Sequence, residues 1–239
     1  MSAGLVPWAR VKLLFVVSLA AEAAEAQRDD VLPAPGFLDD DDGRRVTNGS
    51  ATSCKVLAAL SHVSKAYGFH FFVRSGDDAH FRVDQFLLRV APRHVGEAAR
   101  SRPGQRYFAM GHWYVAREDN PSNNVEELAQ REEYGTWSFP RYPSGMGFAL
   151  SGGLARALAR LHDDLGLVDG YPEDGMVGMW LAGFSARAVG RIESPCFYNT
   201  RAEVEALKDC RDEAILVHYM KPKHWGALTA QGRLPYCPF

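Results

Sequence analysis

The chain has few cysteines, no long apolar run and no excess of charge of one sign, and each shortage argues against a class of protein. Its four cysteines (Cys54, Cys196, Cys210 and Cys237) form no Cys-x-x-Cys pair, which argues against a structural zinc site. The net charge of -2 argues against nucleic-acid binding, which requires a basic face. Internal repeats are absent from the sequence, so a solenoid is not expected. What remains is the composition of an ordinary globular protein, with 46% hydrophobic and 23% charged residues.

Three of the four cysteines lie after residue 195, toward the end of the chain. Two interpretations stay open for them: a disulfide-closed C-terminal region in an oxidising compartment, or buried free thiols. The stretch Asn48-Gly49-Ser50 is a glycosylation sequon, which favours the oxidising, secretory compartment.

The N-terminal residues allow two interpretations. Arg10 and Lys12 precede a short apolar run, and small residues follow up to Ala26, as in a secretory signal peptide. The run is far shorter than the roughly 20 residues of a membrane-spanning helix. In the alternative, Val11–Ser18 is the first strand of the core. We favour the strand, because the segments after it continue an α/β pattern.

Helical and strand patterns alternate along the rest of the chain. Helices are predicted over Lys55–Tyr67, Val83–Val90 and Met176–Phe184, and strands over Phe69–Arg74, Tyr107–Arg117 (irregular at Gly111) and Ile215–His218. Thr52 or Ser53 is the expected cap of the first helix. A further helix is expected between Ser151 as its cap and Gly166, with Leu154, Leu158, Leu161 and Leu165 on one face. The alternation predicts one α/β domain over residues 1–239.

Two pairs of adjacent carboxylates stand at the ends of predicted elements. Asp77 and Asp78 follow a buried strand, and Glu173 and Asp174 lie in the first turn of a helix. Each pair alone is more often a helix cap or a stabiliser of the helix dipole than a site. Together they suit the transfer of a sugar from a nucleoside diphosphate. One pair would hold a Mg²⁺- or Mn²⁺-type cation against the departing diphosphate, and the other would accept the proton of the attacking hydroxyl.

Four stretches of the chain resemble the motifs of one enzyme family, the inverting β-1,3-galactosyl- and N-acetylglucosaminyltransferases (glycosyltransferase family 31). The family motif Lys-x-Asp-Asp-Asp-x-Phe-x-Arg/Asn-x-Asp aligns without a gap on residues 74–84, and Tyr-Pro-x-Tyr-x-x-Gly-x-Gly-Tyr-x-Ser is close to residues 139–151. The motif Glu-Asp-Val-x-x-Gly resembles residues 173–178, and His-x-x-Lys-Pro-x-x-Met/Trp resembles residues 218–225. Upstream, residues 11–18, 29–32 and 53–57 are similar to the family's first strand and the segments after it, so the resemblance covers almost the whole chain.

The resemblance implies a GT-A fold, a nucleotide-diphosphate-binding α/β sandwich with a mostly parallel central sheet. Residues 11–90 would form the nucleotide and metal half, and residues 107–239 the acceptor and base half. It implies a UDP-sugar donor carrying galactose or N-acetylglucosamine, a glycan or glycoprotein acceptor, a β-1,3 linkage, no nucleic-acid partner and a place in the Golgi or secretory lumen. The family is normally held in the membrane by an N-terminal anchor, which we expect in a longer natural chain.

The resemblance also implies roles for single residues. Asp78 would coordinate Mn²⁺ or Mg²⁺, Asp77 would support it or contact the nucleotide, and His218 would be a further metal ligand; without the family, His218 would more often be a core histidine. Asp174 would be the general base, next to Glu173. The remaining residues expected at the donor and its sugar are Arg74, Tyr142, Gly145, Gly147, Trp137 and Trp180.

This chain departs from the family pattern at two of these motifs. Gly76 stands where the family has the first Asp of its triplet, and Gly175 replaces the Val that follows the acidic pair. The Arg-x-x-x-Arg-x-Thr-Trp element that normally precedes the first strand is also not seen. A non-catalytic relative that binds a glycan or a partner transferase is therefore the alternative to an active enzyme. An unrelated secreted α/β protein, cleaved after about residue 26, is the third.

Overall fold

A computed structural model describes residues 15–18, 31–34, 48–76, 78–94, 107–114, 140–167, 173–185, 187–193, 196–198 and 214–218, with the backbone alone at 15–18, 31–34 and 48–52. The strands are β1 (Phe15–Ser18), β2 (Val31–Ala34), β3 (Phe71–Ser75), β4 (His80–Phe81), β5 (Tyr107–Tyr114), β6 (Tyr142–Ser151), β7 (Val189–Glu193), β8 (Phe197–Tyr198) and β9 (Leu216–Val217). The helices are α1 (Asn48–Ala66), α2 (Val83–Gln85, continued by a π-helical turn at Phe86–Val90), α3 (Gly152–Leu165) and α4 (Glu173–Ala182).

Four strands form the central sheet in the order β3-β6-β5-β7. Strand β6 runs antiparallel to both of its neighbours, β3 and β5, whereas β7 runs parallel to β5. The alternation of helices and strands confirms the α/β class. The prediction of a mostly parallel central sheet is wrong for these strands, because β6 lies between two neighbours that it opposes; the sheet is mixed.

Strand β6 is the longest of the strands that the sequence did not predict; the others are β2, β4, β7 and β8. The ten residues of β6 include two glycines, a proline and two serines, which are poor strand formers. It also shows no alternation of polar and apolar residues. The strand lies between β3 and β5 in the sheet, and its side chains are buried on both faces of that sheet. Burial on both faces removes the periodicity by which a strand is usually recognised.

The pairing of β6 with β5 is interrupted in the middle. Gly111 pairs with Phe148, and Trp113 pairs with Pro143, so one residue of β5 lies opposite four residues of β6. The irregularity predicted at Gly111 is thereby confirmed, although most of it belongs to β6. Residues 144–147 depart from the regular register with β5, which turns backbone groups of β6 away from the ladder.

Two apolar clusters lie on the two faces of the central sheet. Because successive side chains of a strand alternate, Ala109 of β5 belongs to one cluster, whereas Phe108 and Met110 belong to the other. The first cluster joins the sheet to α1, α3 and α4, and the second joins it to the π-helical turn after α2 and to the strands β8 and β9. The sheet is therefore covered on both faces, as expected for an α/β domain.

Several predicted helix ends differ from the structure. Helix α1 begins at Asn48, so Thr52 and Ser53 do not cap it, and Ser53 is fully buried inside it. Ser151 does stand at the start of α3, but its hydroxyl oxygen accepts the N–H of Phe108 at 3.1 Å instead of capping the helix. At the other end Leu165 is 77% exposed, because it precedes the turn at Gly166 and no longer faces the sheet.

Two smaller sheets complete the described part of the chain. β1 pairs with β2 in parallel from Phe15↔Val31 to Ser18↔Ala34, and both strands contact α1, so the predicted strand over Val11–Ser18 is confirmed at its second half. The second small sheet has the order β4-β9-β8 and brings the late strand β9 beside His80 and Phe81. Among the described helices, none has both the length and the apolar character needed to cross a bilayer.

Candidate active site

The carboxyl end of β3 carries Arg74, whose guanidinium group reaches two other elements. Its Nη2 donates a hydrogen bond to Oε2 of Glu173, at the start of α4, at 2.7 Å. Its Nη1 donates to the carbonyl oxygen of Gly145 in the irregular part of β6. The Arg74 and Glu173 side chains are only 18% and 8% exposed. Arg74 therefore joins β3, β6 and α4 at one point.

The two acids predicted at the helix start, Glu173 and Asp174, form the first turn of α4. Oδ2 of Asp174 accepts the N–H of Gly145 at 3.0 Å, and Oδ1 accepts the N–H of Gly175 at 2.9 Å. Backbone donors and the positive end of the helix dipole both favour an ionised carboxylate. Asp174 is thus held in one orientation by main-chain groups that no side-chain substitution removes directly.

Burial acts against the ionisation of both acids. It raises the pKa of Glu173 from 4.5 to about 7, and the charge of Arg74 opposes this rise without cancelling it. Burial also raises the pKa of Asp174, against the hydrogen bonds from Gly175 and Gly145. A carboxylate with a raised pKa holds an accepted proton more strongly, so this pair is suited to act as a general base near neutral pH.

Glycines allow the three elements to approach closely around the two acids. A Cβ added at Gly147 would lie 2.7 Å from the carbonyl oxygen of Arg74, and one added at Gly178 of α4 would lie 2.7 Å from Cβ of Tyr142. At Gly145 it would lie 3.4 Å from Oδ2 of Asp174. Of the two glycines predicted to shape the sugar pocket, Gly147 is therefore required by its close approach to β3, whereas a Cβ at Gly145 would make an ordinary contact with Asp174.

The second predicted carboxylate site contains Asp78 and His218. Oδ1 of Asp78, just after β3, lies 3.1 Å from Nε2 of His218, which follows β9. The two side chains are 53% and 17% exposed, so the contact is open to solvent. This spacing is that of a direct hydrogen bond between the two groups, and two neighbouring ligands of an octahedral cation also lie about 3 Å apart, so the same oxygen and nitrogen could ligate one Mn²⁺- or Mg²⁺-type ion. Within the described ranges, no group of three or more His, Cys, Asp or Glu side chains could enclose a metal.

Gly76, where the family has an Asp, lies between these two parts of the site. Its N–H donates to the carbonyl oxygen of Met146 at 3.0 Å. A Cβ added there would lie 3.1 Å from Oδ1 of Asp78 and 3.6 Å from Nη1 of Arg74. The missing carboxylate would thus have stood between the arginine and the aspartate.

The other predicted site residues have different positions. Tyr142 is half-buried, packs against the first core cluster and lies 6.0 Å, ring to ring, from Tyr114. Trp180 is 6% exposed and belongs to the same core cluster, so we leave it out of the proposed donor site: a ring packed there has no face for a sugar. Asp77 and Trp137 lie outside the described residues, as do Cys210 and Cys237, so these predictions stay predictions.

Two contributors to the site were not recognised from the sequence. Gly178 was only one letter of a motif, although its lack of a side chain sets the distance between α4 and Tyr142. The pairing of Arg74 with Glu173 was not expected either. The lone basic residue at a strand end next to two aspartates is a weak local signal, and its partner is 99 residues away.

A comparison with models of protein families gives a match to the galactosyltransferase family over residues 50–189, more than half of the 239-residue chain. A comparison with curated proteins gives no match. The matched range includes Arg74, Asp78 and the acids at the start of α4, and the mixed α/β architecture is compatible with a GT-A-like glycosyltransferase domain. The chain therefore belongs to the galactosyltransferase family, as the motifs around these acids indicated, and its domain is that of a hexosyltransferase with a sugar donor and a glycan acceptor.

Proposed function

We propose that the chain is a metal-dependent inverting glycosyltransferase that moves galactose or N-acetylglucosamine from a UDP-sugar to a glycan hydroxyl in β-1,3 linkage. The observation that carries this proposal is the contact of Asp78 with His218. These residues come from two separate motifs, far apart in the sequence, yet their ligating atoms lie 3.1 Å apart. An oxygen and an imidazole nitrogen at this spacing support the binding of a divalent cation.

On the donor side, Asp78 and His218 would hold Mn²⁺ or Mg²⁺, with Asp77 as a supporting residue. The bound ion would neutralise the negative charge that develops on the departing diphosphate. The position of Asp78 beyond the carboxyl end of β3 fits this role, because ligands of open α/β sheets gather at that edge.

On the acceptor side, Asp174 would be the general base. The acceptor oxygen forms a bond to the anomeric carbon while the bond from that carbon to the diphosphate oxygen breaks. UDP leaves with the electron pair, and the proton of the acceptor hydroxyl passes to the Asp174 carboxylate. Each Asp174 oxygen accepts one backbone N–H in the described structure and keeps a second lone pair for this proton.

The partners and the location follow from this activity and remain part of the proposal. The donor would be a UDP-sugar, the acceptor a glycan or glycoprotein, and the place the lumen of the Golgi or secretory pathway. Membrane association would depend on an anchor outside the described helices. Tyr142, Gly145 and Gly147 would line the donor and its sugar.

A second candidate is a non-catalytic glycan- or partner-binding relative, and Gly76 favours it. The carboxylate that the family has at this position is missing, and a Cβ here would press within 3.1 Å of Asp78. In this candidate the fold is kept and metal-dependent nucleotide binding is lost.

Calorimetric titration of UDP into the purified chain separates the two candidates. The titration is made with Mn²⁺, then with excess chelator, and is repeated with Asp78→Ala and with Asp164→Ala, an exposed aspartate of α3, as a control. We expect binding that requires the metal and Asp78 and that is kept in Asp164→Ala. A folded chain that binds no UDP in the presence of Mn²⁺ would exclude the transferase and favour the non-catalytic relative.

A further inference from the structure

Both terminal nitrogens of the Arg74 guanidinium group are bound to groups of the protein. One terminal nitrogen donates to Glu173 at 2.7 Å, and the other donates to the carbonyl oxygen of Gly145. Its exposed fraction is 18%, so most of its surface is covered by these partners and their neighbours. The contacts of Arg74 therefore point to the inside of the protein, toward β6 and α4.

The two partners of Arg74 are each connected to Asp174. Glu173 precedes Asp174 in the first turn of α4, and the N–H of Gly145 donates to Oδ2 of Asp174 at 3.0 Å. Arg74, Gly145, Asp174 and Glu173 thus close a ring of contacts. Each of the two routes from Arg74 to Asp174 passes through a single residue.

Glu173, one member of this ring, depends on Arg74 for the pairing of its charge. Oε2 of Glu173 is bound by Arg74, whereas its Oε1 is buried and has no hydrogen-bond partner among the described residues. A buried carboxylate with one oxygen unsatisfied is costly unless an opposite charge lies against it. Removing the arginine would leave the Glu173 carboxylate unpaired at the start of α4. Either the Glu173 carboxyl group would then take up a proton, or the first turn of the helix would shift.

We propose that Arg74 is a positioning residue, which fixes the carboxylate of Asp174 relative to the donor strand β3 through Gly145 and Glu173. The inference rests on the proposed function, in which Asp174 is the base. It assigns to Arg74 a role different from direct contact with the donor. Asp78 follows Arg74 by four residues, so Arg74 also connects the base to the segment that carries the proposed metal ligand.

The planar fork of arginine suits this role in this chain. Two acceptors on different elements are bound by two separate nitrogens of one rigid group. The family has lysine at this position, and a lysine ammonium is a point charge on a flexible stem. Lysine would keep the positive charge beside Glu173 but would not bind both acceptors at once. Arg74→Lys therefore tests the loss of the contact with both acceptors while the charge is kept.

The test compares Arg74→Lys and Arg74→Met with Arg156→Met. Arg156 is a matched control, because it is also partly buried and donates from α3 to the carbonyl oxygen of Phe69, two residues before β3, at 3.1 Å. Transfer kinetics are measured with a UDP-sugar donor and Mn²⁺. Separately, the carboxyl carbons of Glu173 and Asp174 are titrated by ¹³C NMR, which requires no activity.

We expect Arg74→Met to lower kcat about 100-fold and Arg74→Lys about 10-fold, with the donor KM changed less than threefold, as for a misplaced catalytic group. We also expect the Asp174 titration and the acid limb of the kcat profile to move to higher pH in Arg74→Met, because the charge of Arg74 lowers the pKa of Asp174. Arg156→Met should leave both measurements unchanged.

Two results would overturn the inference. A rise in donor KM with an unchanged kcat would show that Arg74 binds the donor directly. An Asp174 titration that is the same in the wild type and in Arg74→Met would show that Arg74 does not act on the base. If the wild type transfers no sugar at all, the proposed function fails, and the Asp174 titration in Arg74→Lys, which keeps the charge but not the contact with both acceptors, then decides whether Arg74 positions Asp174.

Discussion

At Glu173, burial opposes the ionisation of the side chain, whereas the charge of Arg74 favours it. Glu173 is 7% exposed, it pairs with Arg74 through one oxygen, and its other oxygen has no hydrogen-bond partner in the described part of the chain. The loss of hydration exceeds the attraction of the arginine, so the pKa rises from 4.5 to about 7. A carboxyl group in this state exchanges its proton near neutral pH, where most glutamates are fully ionised.

This shift predicts a dependence of stability on pH. A carboxyl group whose pKa is higher in the folded than in the unfolded state stabilises the fold fully below about pH 4.5, and this contribution is lost as the pH rises through about 7. The free energy of unfolding should therefore fall across this range by an amount on the order of 3 kcal/mol from Glu173. Glu173→Gln, which cannot ionise, should make the fall shallower in urea titrations at several pH values.

The matched control for this prediction is Glu193→Gln. Glu193 is a 46% exposed glutamate that also pairs with an arginine, Arg141 at 3.0 Å. The fall in stability with rising pH should persist in this variant, because Glu173 and Arg74 are unchanged in it. Equal slopes for the wild type and Glu173→Gln would contradict the assignment of the slope to Glu173.

At the scale of elements, the contact of α4 with β6 determines where the acids lie. Gly178 stands one turn after the acidic pair and faces Tyr142 and Pro140, so the helix approaches the strand without any side chain between them. The first turn of α4 is therefore held at a distance from β6 that matches the hydrogen bond from Gly145 to Asp174.

We predict that Gly178→Ala separates α4 from β6. The new Cβ would lie 2.7 Å from Cβ of Tyr142 and 2.9 Å from the carbonyl oxygen of Pro140, and a backbone oxygen cannot move aside cheaply. Overpacking of this kind costs about 1–3 kcal/mol in the free energy of unfolding, measured by urea titration. Transfer activity should fall as well. Gly183→Ala, just after the same helix, has its nearest contact at 3.4 Å and should change neither.

The sequence predicted those elements of the site that have local signals. Asp78 was placed correctly just after β3, and Glu173 and Asp174 were placed correctly in the first turn of α4, because an aromatic strand and an apolar helix are visible in short windows. Strand β6 was missed, because burial on both faces and its glycines remove the strand pattern. The contact of Arg74 with Glu173 spans 99 residues, and no local pattern contains such a pairing.

At the scale of the whole molecule, the proposed donor site joins two distant parts of the chain. Asp78 lies inside the range matched by the galactosyltransferase family, and His218 lies beyond its end at residue 189. His218 is presented by β9, a strand of two residues between β4 and β8. A ligand that binds both residues would therefore hold this last described strand against the rest of the domain.

This arrangement predicts that UDP with Mn²⁺ raises the melting temperature. Ligand at about 100 times its dissociation constant adds about 2.7 kcal/mol, which corresponds to about 5–10 °C for a chain of this length. His218→Ala should reduce this shift, whereas His70→Ala, an exposed histidine before β3, should keep it. The measurement is a thermal scan with and without the ligands. An equal shift in His218→Ala and the wild type would contradict a role for His218 in binding.

Strand β6 has a consequence for how this enzyme could change its sugar preference in evolution. The strand is the centre of the described sheet and also forms a wall of the proposed site, so most substitutions within Tyr142–Ser151 would impair folding before they altered specificity. New preferences would then arise mainly from residues that line the site without supporting the sheet. A mutational scan would show β6 as uniformly intolerant, and that intolerance would say little about which of its residues touch the sugar.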